Sequence, residues 1–68
     1  MSGYREYRFY SPEFDCEAAR LSMVDEHNSE FFTIIPVRGY RVYREARDRA
    51  LDMIDEAIAA GAEPGEVR

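Results

Sequence analysis

Asp25, Glu26, His27 and Glu30 are the densest group of metal-ligand residue types in the chain. The carboxylates could hold a hard cation, and the imidazole could add a nitrogen ligand. The spacing matches no known loop, however, and the glycine of an EF-hand is missing. The stretch therefore reads as a solvated turn. Cys16 and His27 are nucleophile and base types. Nothing in the sequence supplies a third group to orient His27 or a glycine-rich oxyanion loop, so Cys16 reads as a small buried hydrophobe. Asp52, Asp55 and Glu56 read as the wet face of a helix. All nine basic residues are arginine, which removes Schiff-base and Walker-type lysine chemistry. The expectation is a protein that is not an enzyme and needs no metal or cofactor.

What remains is an echo. Gly3-Tyr4-Arg5-Glu6-Tyr7-Arg8 recurs as Gly39-Tyr40-Arg41-Val42-Tyr43-Arg44, differing at one position in six. Tyr and Arg are enriched at binding hot spots, and they can also stack on bases and clamp phosphates. Tyr4, Arg5, Arg8, Tyr40, Arg41 and Arg44 are accordingly the candidate partner-binding residues. The plainer reading makes Tyr7 and Tyr43 core residues and pairs the arginines with Glu6, Glu45 and Asp48.

The chain that must position these groups is short and acidic, with 68 residues and a formal charge of −5. A chain of this length buries only about 60% of its unfolded surface, so disulfides, a metal or a second subunit usually support the fold. Cys16 is the only cysteine and His27 the only histidine. That excludes an intrachain disulfide and a cysteine zinc site, and it points to a homodimer or a hetero-complex. The longest apolar run, residues 31–37, is too short to span a bilayer. The charged segment 4–8 is unlike a signal peptide, so a cytoplasmic protein with one reduced thiol is expected. Charge is segregated: +1 over residues 1–11, −5 over 12–30, +3 over 31–50 and −4 over 51–68. The acidic balance argues against direct nucleic-acid binding, and the short apolar run argues against a membrane partner.

Apolar residues Tyr43, Ala46, Ala50, Met53, Ile54, Ala57 and Ile58 recur at threes and fours, predicting a helix from about 43 to 60. Gly61 stops it and Pro64 prevents its resumption. Leu51 falls at the rim of that stripe. Residues 30–37 read as a strand that is apolar on both faces, ended by Pro36. Residues 5–10 read as a second strand, with Tyr7 and Phe9 on one face and Tyr4, Glu6, Arg8 and Tyr10 on the other. Between them, Ser11-Pro12-Glu13 carries the signature of a helix start. Phe14, Ala18, Leu21 and Val24 follow at helical spacing. A strand over Leu21 and Met23 is the alternative, and the helix formers at 17–21 favour helix. Residues 40–43 are either a return strand after Arg38-Gly39 or the first helical turn.

The expected fold is α+β: a single domain in which a short, mainly antiparallel sheet is packed by the C-terminal amphipathic helix. Its order is β-α-β-(β)-α, with residues 62–68 as a flexible tail. The acidic hairpin, alanine-rich helix and Gly61-to-Pro64 ending resemble, over half the chain and in pattern only, the partial RNase H fold of HicB-type antitoxins. No site residue is carried over from that resemblance. The expected function is a small regulatory module, inhibitor-like or antitoxin-like by type, that binds a protein partner. The alternative is RNA binding through the Tyr/Arg surface, or mimicry of nucleic acid by the acidic faces.

Overall fold

Alternation of side chains builds the first strand, β1 (Arg5–Ser11), in a computed structural model that describes residues 3–68. The second strand, β2 (Cys16–Val24), replaces the helix predicted over residues 12–25. The helix-start signal at Ser11 is real but local. Ser11 Oγ accepts the Phe14 N–H at 3.3 Å and Ser11 O accepts the Asp15 N–H at 2.8 Å. Asp15 then turns into the left-handed region at φ 57°. This single turn reverses the chain into an antiparallel hairpin, with Arg5 opposite Ser22 and Ser11 opposite Cys16.

A second reversal leads to β3 (Glu30–Pro36). The Asp25 carboxylate holds it, with Oδ1 accepting the N–H groups of His27 and Ser29, each at 2.9 Å. Asn28 supplies the left-handed residue at φ 64°. The antiparallel ladder of β2 and β3 runs from Ala18 opposite Pro36 to Val24 opposite Glu30. Held by neighbours on both sides along most of its length, β2 is an interior strand. Helix propensity differs between these residue types by tenths of a kcal/mol each, and two ladders of backbone hydrogen bonds outweigh it.

The predicted helix is present as α1 (Tyr40–Ala59). The Tyr43 N–H bonds to Gly39 O at 2.8 Å, so residues 40–43 are the first helical turn. Gly61, at φ 75°, ends the helix in a Schellman arrangement. Its N–H bonds to Ile58 O at 3.2 Å and that of Ala62 to Ala57 O at 3.0 Å. The segment expected as a tail contains a two-residue strand, β4 (Gly65–Glu66), parallel to β3. The Val67 N–H donates to Phe32 O at 2.7 Å. The sheet order is β1-β2-β3-β4.

The protein is thus a two-layer α+β sandwich. Its core is Ala19, Leu21, Met23 and Phe31 from the sheet against Tyr43, Ala50 and Ile54 from the helix. Leu51, Ala57 and Ile58 pack around that core, whereas Met53, placed in the apolar stripe from the sequence, is exposed. No helix among the described residues is long and apolar enough to cross a membrane.

Candidate binding surfaces

The two halves of the echo meet at one junction. Glu6, on the helix-facing side of β1, accepts a hydrogen bond from the Tyr43 hydroxyl at 2.5 Å. Its other oxygen takes Arg8 Nε at 2.6 Å. Arg8 lies over the Tyr43 ring with its guanidinium carbon 4.7 Å from the centroid and reaches Glu17 at 3.4 Å. Arg47 approaches the same ring at 5.7 Å. Tyr43, 2% exposed, is therefore the floor of a small ionic network.

The electrostatics follow from the geometry. The Glu6 carboxyl is held below its ordinary range, first by the Tyr43 hydroxyl and then, against the effect of partial burial, by Arg8. Burial and the adjacent carboxylate push the Tyr43 hydroxyl up. The Glu6 bond raises Arg8, and Arg47 is raised mainly by the nearby Tyr4.

The six candidate residues separate into three groups. Arg8 belongs to this junction, and Tyr4, which lines a shallow pocket with Arg5, lies near enough to Arg47 to raise it. Tyr40, Arg41 and Arg44 line a shallow groove on the exposed side of α1 with Glu45 and Asp48, and Arg44 lies 5.8 Å from the Tyr40 ring. Arg5 lies on the opposite face of the sheet, across from Ser22 and close enough to Glu30 to lower its carboxyl. Tyr7, read as a core residue in the plainer view, is 65% exposed, while Tyr43 is buried. The two tyrosines at matching places in the echo thus have opposite environments.

Tyr7 belongs to a surface that the sequence did not single out. The sheet face turned away from α1 carries Tyr7 and Phe9 from β1, Arg20 from β2, and Phe32 and Ile34 from β3. The Tyr7 and Phe9 rings stack with centroids 6.0 Å apart. Arg20 covers the Phe32 ring at 4.1 Å and makes two hydrogen bonds to Glu30, at 3.1 and 3.2 Å. That pair lowers the Glu30 carboxyl and raises Arg20. Ala18, flanked by Phe9 and Pro36, is fully buried on this face. The apolarity of residues 31–37 on both faces, and the alternation in residues 5–10, were the available signals. They lacked only the placement of β2 between the two strands.

The other chemistry-bearing groups are dispersed. Cys16 donates to Glu17 O at 3.3 Å at one end of β2, and His27 lies beyond its other end. The eight steps from Cys16 to Val24, at about 3.3 Å each, already span roughly 26 Å. Asp25 is committed to its turn. Among the described residues, no three His, Cys, Asp or Glu side chains gather as a metal-binding group. No protein-family model, curated protein or solved structure matches the chain.

Proposed function

We propose that this protein is a non-enzymatic, cytoplasmic interaction module that binds a protein partner through the uncovered face of its sheet. One observation carries the reading: in a two-layer fold, the face opposite α1 presents exposed Tyr7 beside half-buried Phe9, Phe32 and Ile34, and no layer of the described residues lies over it. Rigid aromatic side chains flanked by arginine are the composition of binding hot spots. An aromatic row beside Arg5 suits a partner surface that is apolar at its centre and bears a carboxylate at its margin. RNA stacking on the same rings is disfavoured by the net charge of −5 and by Glu30 on that face.

The test is affinity capture with three baits: the parent protein, Ile34→Ser, and Arg41→Ala with Arg44→Ala. Circular dichroism first confirms that each bait is folded. A protein retained by the parent and by the double-arginine variant, but lost by Ile34→Ser, is the expected result. Loss only with the arginine pair would move the site to the exposed side of α1. Capture that nuclease treatment abolishes would replace the protein partner with nucleic acid.

A further inference from the structure

The sheet has one long free edge. Among the described residues β1 pairs only with β2, leaving the backbone groups on its outer side without a strand partner over seven residues. The opposite edge is interrupted by the two residues of β4 and by Pro36. Exposed edges are templates for another strand unless they are blunted, commonly by a run of like charge. β1 is charged, but with alternating sign, and that alternation selects a partner.

We propose that β1 is a homodimer seam, pairing antiparallel with β1 of a second copy about a two-fold axis through Tyr7. A two-fold normal to the sheet keeps each helix on the same side and places residue i opposite residue 14 − i of the other copy. Tyr7 then faces Tyr7, Glu6 faces Arg8, and Arg5 faces Phe9. Opposite charges directly across a ladder stabilise it, and an arginine over an aromatic ring adds to the attraction. Neighbouring registers lack this match. A two-fold at Glu6 sets two carboxylates against each other, and one at Arg8 does the same with two guanidiniums. A two-fold at Phe9 brings Pro12, which has no N–H, against Glu6.

The fold leaves room for the second copy. α1 packs on β2 and β3, outward of β1, so the two helices of such a dimer stand about four strand spacings, roughly 19 Å, apart. A helix with its side chains is only about 10–12 Å wide. The existing bond between Glu6 and Arg8 becomes half of a four-membered ring with its symmetry mate. The two uncovered aromatic faces join into one continuous surface. This inference goes beyond the binding role proposed above, because Ile34 lies two strands from the seam and tests that role separately.

The experiment combines cysteine pairing with charge reversal in a Cys16→Ser background. Tyr7→Cys should form a disulfide-linked dimer under mild oxidation, since it meets its own copy across the axis. Arg5→Cys and Phe9→Cys should each form no disulfide link alone and should cross-link to each other when mixed. Separately, in sedimentation runs, Glu6→Arg and Arg8→Glu should each lose self-association, whereas their equimolar mixture should form a heterodimer. Stacking through the aromatic face would leave association insensitive to both reversals, because Glu6 and Arg8 are on the other side, and would overturn the proposal. So would a parent protein that sediments as a monomer at high micromolar concentration, or efficient self-linking by Arg5→Cys or Phe9→Cys. If Glu6→Arg fails to fold, the cysteine series still decides.

Discussion

Replacing Tyr43 by Phe removes one hydroxyl from the centre of the junction and leaves the buried ring in place. The deleted bond runs to a carboxylate, and hydrogen bonds to charged groups contribute roughly 1.5–3 kcal/mol. The lower end applies, because Glu6 keeps Arg8 and its side chain, 25% exposed, can recruit water. The expected loss at neutral pH is about 1.5 kcal/mol, or roughly 6–12 °C in melting temperature for a domain of this size. The sign of the pH dependence follows from Glu6, whose carboxyl lies below its ordinary 4.5 mainly because of Tyr43. A depressed carboxyl contributes stability above its unfolded value and loses it as pH falls through the folded one. The gap between parent and variant should therefore narrow as pH drops below 4.5. Tyr43 is shifted the opposite way, above its ordinary 10.0, so its own contribution is present below that value and fades as pH rises past it. Urea denaturation of both proteins from neutral pH into the acid range reads the first effect directly. A neutral-pH difference under about 0.5 kcal/mol, or one that stays constant into acid, would refute the assignment of the stabilisation to this bond.

The remaining expectations concern the layers that hold the junction. Ile54→Asp should abolish the folded circular dichroism spectrum, because Ile54 is fully buried and an unpaired charge there has no partner. Asp52→Ala, on the exposed side of the same helix, should change stability by less than about 0.5 kcal/mol by thermal melting. Asp25→Ala deletes the acceptor of two turn N–H groups and should cost about 1 kcal/mol in chemical denaturation.

The legibility of each element followed from how much of its burial is set locally. α1 must bury one stripe, so Ala50, Ile54 and Ala57 reveal it at a spacing no strand would share. Even there, Met53 and Leu51 exchanged roles, because a stripe read from spacing has an uncertain rim and packing against the curved sheet decides which edge is covered. β3 was legible because aromatic and β-branched residues crowd it. β2 was obscured for the reason that makes it an interior strand. A strand buried on both faces loses its polar alternation, and small residues such as Ala18 and Ala19 fit under their neighbours while also being good helix formers. Gly65 and Glu66 carry no strand signal, since only the return of the chain from α1 lays them beside β3.

The echo shows most clearly what sequence similarity within a chain can and cannot convey. Its two copies occupy a strand and a helix, and the same spacing maps differently onto each. In β1, period two sends Glu6 and Arg8 toward α1 and turns Arg5 and Tyr7 away. In α1, a period of 3.6 places Tyr43 toward the sheet and groups Tyr40 with Arg44 on the exposed side. A shared six-residue phrase therefore cannot present one shared surface. The hydrogen bond that joins the copies is made from Glu6, the single position at which they differ, beside the Arg8 guanidinium that lies over the Tyr43 ring. Val42, the residue at the matching place, is 68% exposed and faces away from the junction. Where the copies meet, the structure holds a complementary pair of unlike residues, Glu6 and Tyr43, while Tyr7 points to the opposite face of the sheet.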